Sequence, residues 1–177
     1  GKHMDTNLDQ MIVRTNDMGM LISSMGNTYR IILTGEETAG RFSIMEAFVN
    51  PGEGGVSHIH HNEDESFLIT EGKVVFYEGE RRVVANVGTF VMCPPGTKRA
   101  FRNESDDIAK MMIFYTPPGI ENMIKLDGKS VTEHLIVPYT STSNKEYKAG
   151  SQLSKKFGIE DLTIPFPDIK LDLEDSD

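Results

Sequence analysis

Three of the chain's five histidines stand at His58, His60 and His61, inside the stretch HIHHNEDE. On an extended strand, His58 and His60 project from the same face, because side chains alternate along a strand. Ile59 then faces the opposite way. Glu65 opens the next apolar run, ESFLIT, and a short turn would bring it back beside the two imidazoles. Two imidazoles and one carboxylate on a face make a facial triad. That donor set suits a divalent transition ion with open coordination positions, Fe(II) first, with Mn, Ni, Zn or Cu as alternatives. A single buried histidine is ordinarily a packed core residue, but two at this spacing followed by a carboxylate are harder to explain by packing. His61, Asn62, Glu63 and Asp64 read as the polar turn between the ligands. Glu63 and Asp64 are the alternative carboxylates, and the start of the strand favours Glu65.

Short strands are what would hold such a site. The stretches YRIILTG (29–35), RFSIMEAFV (41–49), ESFLIT (65–70), VVFYEG (74–79), VVANVG (83–88), TFVMC (89–93), RAFRN (99–103) and AKMMIFYTPPG (109–119) alternate with Gly-, Pro- and acid-rich breaks. Many strands of about five residues with no strand–helix alternation predict an all-β sandwich or barrel. Beyond them, 119–128 has room for one or two helical turns. Residues 142–158 read as a surface helix with Ser143 as N-cap and Gly158 as its stop after Lys155 and Lys156. The final DIKLDLEDSD reads as a solvated acidic tail, and the apolar alternation of TIPFPDIKL leaves room for an added edge strand.

Composition narrows the function. A net charge of −9 makes nucleic acid a poor partner. No apolar run approaches the roughly 20 residues a membrane helix needs. The single cysteine, Cys93, excludes an intrachain disulfide framework and reads as a packed core thiol. A cytoplasmic location is expected. Gly1–His3 before Met4 read as a vector-derived scar. Residues 4–118 then form the barrel with its N-terminal strands, and 119–177 a C-terminal helical extension with the tail. His134 reads as a structural or surface residue. The apolar stretch 18–26 reads as an extra strand, suited to pairing two copies into a homodimer or to covering its own barrel.

The spacing of the site residues resembles a known family. Gly52, His58, His60, Glu65 and Gly72 fall at every fixed position of the first cupin motif. Gly88, Pro94, Gly96 and Asn103 follow the second. The resemblance covers about residues 25–118 and is similar to small single-domain, quercetin-dioxygenase-like cupins. It implies a double-stranded β-helix (jelly-roll) barrel with a short C-terminal helical segment. It also implies a metal held by His58, His60 and Glu65, and a fourth-ligand position that holds Arg99 in place of histidine. A guanidinium has only donors and a permanent charge, so it does not ligate. Arg99 either faces the open coordination positions and clamps an anionic oxygen of the substrate, pairs with Glu65 in a metal-free site, or turns to the rim. The first reading makes Arg99 the catalytic residue.

The expected function is therefore a metal-dependent oxygenase acting on a small, largely apolar or aromatic molecule with an anionic oxygen. The alternatives are a non-redox isomerase, cyclase or lyase, and a non-catalytic binding cupin; fold does not choose among them. Phe67, Ile69, Tyr77, Phe90, Met92, Phe101, Met112 and Phe114 are the candidate pocket lining.

Overall fold

The computed structural model describes residues 9–133 and 151–162. The strands are β1 (Met20–Ser24), β2 (Asn27–Leu33), β3 (Ser43–Val49), β4 (His58–His60), β5 (Asp64–Glu71), β6 (Val74–Glu78), β7 (Arg81–Ala85), β8 (Phe90–Cys93), β9 (Lys98–Arg102) and β10 (Ala109–Thr116). Helix α1 (Ile120–Asp127), β11 (Lys129–Ser130), α2 (Ser151–Lys156) and β12 (Ile159–Asp161) follow. They form two antiparallel sheets, ordered β11-β1-β2-β3-β10-β5-β8 and β12-β4-β9-β6-β7. This is the all-β barrel expected from the strand pattern, with the jelly-roll architecture that the resemblance implies.

Period-two alternation decides what each strand buries. On β3 the inward set is Ser43, Met45, Ala47 and Val49; on β5 it is Glu65, Phe67 and Ile69. On β10 it is Ala109, Met111, Ile113 and Tyr115. Between the sheets Phe67, Phe76 and Phe101 pack ring against ring, with centroids 4.9–6.3 Å apart. Aromatic burial of this kind dominates the stability of a small barrel.

The stretch after residue 118 contributes to both sheets. Strand β11 lies against β1, and β12 adds to β4 with Ile159 opposite His60 and Asp161 opposite His58. Helix α1 runs for two turns and is tied to the β2–β3 loop by Glu121, whose carboxylate accepts from the Gly35 and Gly119 amides at 2.7 Å each. Gly158, at φ +71°, ends α2 after Lys155 and Lys156 as expected. Ser143, His134 and the acidic tail lie outside the described residues. Strand β1 has β2 on one edge and β11 on the other, so it is built into its own sheet. No helix among the described residues is long and apolar enough to cross a membrane.

Candidate metal centre

The hairpin from β4 into β5 brings His58, His60 and Glu65 together, with one potential ligand atom from each within 4.8 Å of the others. His58 Nε2 and His60 Nε2 are 3.1 Å apart, and Glu65 Oε2 lies 3.5 Å from His60 Nε2. The remaining ring nitrogens are already committed. His58 Nδ1 donates to the Val56 carbonyl at 2.8 Å, and His60 Nδ1 donates to Glu63 Oε1 at 2.6 Å. Each imidazole therefore carries its hydrogen on Nδ1 and turns its Nε2 lone pair toward the other. Two converging lone pairs beside a carboxylate oxygen require a cation, either a shared proton or a metal ion. Ligands on bonds of about 2.1 Å, at angles between octahedral and tetrahedral, sit roughly 3.0–3.4 Å apart. Two of the separations, 3.1 and 3.5 Å, lie at or near that spacing and the third stays within 4.8 Å, so the donor set fits a divalent transition ion after small side-chain adjustment.

The electrostatics point the same way. Burial pushes His58 down to about 4, helped by neighbouring His60, so it is neutral at physiological pH. Burial by itself would raise Glu65, but His60, His58, Arg99 and a hydrogen bond from Tyr115 outweigh it and hold the carboxyl below its usual range. The Tyr115 phenol sits opposite Glu65 in the β5–β10 ladder, and burial together with the Glu65 charge keeps it protonated.

Glu63 lies in the turn between β4 and β5, as expected, but sequence reasoning missed its role: it is 5 % exposed and fixes the tautomer and orientation of His60. Metal-binding histidines characteristically have such an outer partner. The sequence signal was its i+3 spacing from His60, which returns a side chain across a tight turn.

Arg99 does face inward, at 2 % exposure, but it does not reach the cavity beside the histidines. Its Nη1 donates to Glu65 Oε1 at 3.2 Å, Nη2 to the Pro94 carbonyl at 2.9 Å and Nε to the Thr97 carbonyl at 2.9 Å. These bonds use one N–H on each nitrogen and hold the guanidinium behind Glu65; Arg99 lines the separate depression beside β7–β9 instead. Arg99 is absent from the lining of the cavity beside the triad, so a clamp on a ligand in that cavity is not the arrangement seen. Its pairing with Glu65 is the second of the three arrangements considered.

The cavity next to the triad measures about 70 Å³. Its walls come from Val56, Phe101, Ile113 and α1, and from Ser154, Ile159 and Asp161 of the C-terminal segment. Gly54 lines it too: a Cβ there would lie 2.3 Å from the Phe101 carbonyl oxygen, so only glycine allows this approach. Of the eight expected lining residues only Phe101 is present. Phe67 and Ile69 have the right parity but lie deeper, in the packed core. Met112 and Phe114 are on the outer face of β10, in step with Lys110, while Ile113 and Tyr115 face in. Both parities of AKMMIFYT are apolar, so hydrophobicity alone does not choose; Lys110 and Thr116 were the signal. Tyr77, Phe90 and Met92 line a separate depression of about 340 Å³ beside β7–β9. Cys93 is buried, as expected, and burial pushes its thiol up to about 11.

Residues 45–119 match a family model described as a cupin domain. The matched segment runs from β3 to the start of α1 and holds the two histidines, Glu65 and Arg99. No curated protein matches the sequence. Among solved structures the barrel is similar to a predicted oxalate decarboxylase from Thermotoga maritima, with a TM-score of 0.54 and 18% identity over 59% of this chain and 97% of the other. It is similar to the polyketide cyclase RemF from Streptomyces resistomycificus, at 0.53 and 17% over 59% and 79%. It is also similar to ectoine synthase from P. lautus, at 0.55 and 16% over 75% and 98%. At such identities the likeness extends to the fold.

Proposed function

We propose that this cupin is a metal-dependent enzyme acting on a small organic molecule, with His58, His60 and Glu65 as the protein ligands. The observation that carries the reading is the pair of Nε2 atoms turned toward each other at 3.1 Å, with the far nitrogens anchored by Val56 and Glu63. A divalent ion held there would supply Lewis acidity and open coordination positions, Fe(II) being the first candidate. Around it, this chain's own residues hold Glu65 in one orientation through Arg99 and present the protonated Tyr115 phenol to the same carboxylate. Three protein ligands leave room for a substrate atom and dioxygen together, which supports an oxygenase. Metal analysis of protein purified without chelators, with His60→Ala as control, tests the site. Oxygen uptake by the reconstituted protein tests the reaction.

A non-redox isomerase, cyclase or lyase is the second reading. It is favoured by two buried phenols, Tyr29 and Tyr115, that line the cavity and retain their protons. Turnover that proceeds equally well without dioxygen selects it. Ligand binding that survives His58→Ala in protein lacking metal selects the non-catalytic alternative. A homodimer and a cytoplasmic location belong to the same proposal. Exposed Met11, Val13, Met18 and Met20 support the first, and the single cysteine supports the second.

A further inference from the structure

The five-stranded sheet lays its side chains across the site in rows. Residues directly opposite each other in an antiparallel pair project from the same face, with Cβ atoms about 4.5–5.5 Å apart. His58 stands opposite Arg99 of β9 on one side and opposite Asp161 of β12 on the other, which gives the row Asp161–His58–Arg99. The next row sets Ile159 beside His60. Ile159 and Asp161 share one parity and both line the cavity, while Glu160 between them turns outward to the exposed His61. Asp161 is half-buried. Ser154 of α2, 3 % exposed and in the same wall, donates its hydroxyl to Asp161 Oδ2 at 2.9 Å. A carboxylate has about four acceptor sites on two equivalent oxygens, so this one bond orients the group and leaves most of its capacity open.

Charge sets Asp161 apart from the other carboxylate of the lining. Glu65 is paired with Arg99 at 3.2 Å. Among the described residues no lysine or arginine pairs with Asp161 or lines this cavity. A partly buried charge without a counter-ion favours a cation beside it. Arg99 lies on the far flank of His58, so the guanidinium does not contest that position.

We propose that Asp161, held by Ser154, is the specificity group of this cavity, and that it selects a small ligand carrying a protonated amine over neutral and anionic molecules of the same shape. The selection rests on the cavity being the ligand site of the proposed function, but not on a metal being present. A volume of about 70 Å³ limits the enclosed part of the ligand to a few heavy atoms. The remaining wall, including Val56, Phe101, Ile113 and Met123, takes its apolar part.

Isopropylammonium, isopropanol and acetate share one branched heavy-atom skeleton and differ in charge. Methyl-labelled methionine reports their binding to the full chain through Met25 and Met123, both of which line the cavity. The titration is run in chelator and again with Zn²⁺. In chelator, isopropylammonium is expected to bind at least about tenfold tighter than isopropanol, the gain of a charge-assisted over a neutral hydrogen bond, with acetate weakest. Asp161→Asn keeps the shape and an acceptor for Ser154 but removes the charge, and is expected to abolish that difference. Equal binding of isopropylammonium and isopropanol overturns the proposal, as does a preference that survives Asp161→Asn or the lack of any methyl shift with isopropylammonium. If Asp161→Asn does not fold, Ser154→Ala keeps the charge and releases its orientation, and an undiminished ammonium preference there overturns it. Methyl shifts with Zn²⁺ but no ammonium preference sink this proposal alone. An ammonium preference in chelator, with Zn²⁺ leaving the protein unaffected, sinks the metal reading alone.

Discussion

Arg99 grips Glu65 from the side away from the cavity: Nη1 is 3.2 Å from Oε1, which leaves Oε2 turned toward His60 at 3.5 Å. One carboxylate thus has a permanent cation behind it and the imidazole pair in front. Removing the permanent partner strands a buried charge. Arg99→Met is expected to destabilise the fold by roughly 3–5 kcal/mol, as when one member of a buried pair is deleted. Arg99 also pairs in register with His58. Arg99→His would therefore put a third imidazole beside the cluster, and Co²⁺ is expected to raise its melting temperature more than that of the wild type. Thermal unfolding with and without Co²⁺ measures both. Equal Co²⁺ shifts in the two proteins would remove Arg99 from the fourth-ligand position.

Glu63 acts on the site only through His60. Its Oε1 accepts from Nδ1 at 2.6 Å, which fixes the tautomer that leaves Nε2 free. Glu63→Gln keeps the shape and loses the charge. The change is expected to weaken metal affinity about 10–100-fold, the range typical of outer-shell partners. Titration calorimetry with Zn²⁺ reads this directly. An unchanged affinity would make Glu63 a packing residue.

Tyr29 gives the fold an alkaline limit. Burial raises its hydroxyl from 10.0 to about 12, with the Glu65 charge adding to the rise and Asn27 opposing it. The folded value lies above the unfolded one. The unfolded chain therefore ionises first, and the stability held below the unfolded value is lost as pH rises through this window toward the folded value. Tyr29→Phe removes the group and is expected to flatten that loss, even if it lowers stability at neutral pH. Urea midpoints at about pH 9 and about pH 11 compare the slopes. Parallel slopes in wild type and variant would contradict the assignment.

The sequence was most legible where polarity and spacing agreed. His58, His60 and Glu65 could be placed on one face because i, i+2 alternation and a turn leave little choice, and the strand runs set by Gly and Pro correspond to β2–β10. The pocket wall was not legible, for particular reasons. Strand β10 is apolar on both faces, so parity had to come from Lys110 and Thr116. Asn27 and Tyr29 come from a strand some thirty residues before the motif, and Asp161 from a hundred residues after it. Only tertiary pairing brings them to the site. Arg99 faces inward, and one of the three expected arrangements, its pairing with Glu65, is seen. The carbonyls of Pro94 and Thr97 that help to hold it there are invisible in a sequence.

Strand β12 closes the cavity, and a single glycine sets its approach. Strand β12 adds to β4, with the His61 amide donating to the Gly158 carbonyl at 2.9 Å and the Leu162 amide to the Ser57 carbonyl at 2.8 Å. Gly158 stands at φ +71°, and a Cβ there would lie 2.2 Å from Asn62 Nδ2. The Asn62 amide is the end of an exposed side chain and swings away, so the clash is relieved easily. The backbone cost of a left-handed residue is not, and it amounts to roughly 1–2 kcal/mol. Gly158→Ala is therefore expected to loosen β12 without unfolding the barrel. Amide hydrogen exchange at His61 and Leu162 should accelerate, while the β5–β10 ladder keeps its protection. Asn62→Gly in the same chain should restore little of it, because it removes only the contact. Uniform acceleration across both sheets would mean that β12 is part of the core and not a separable closure over His58 and His60.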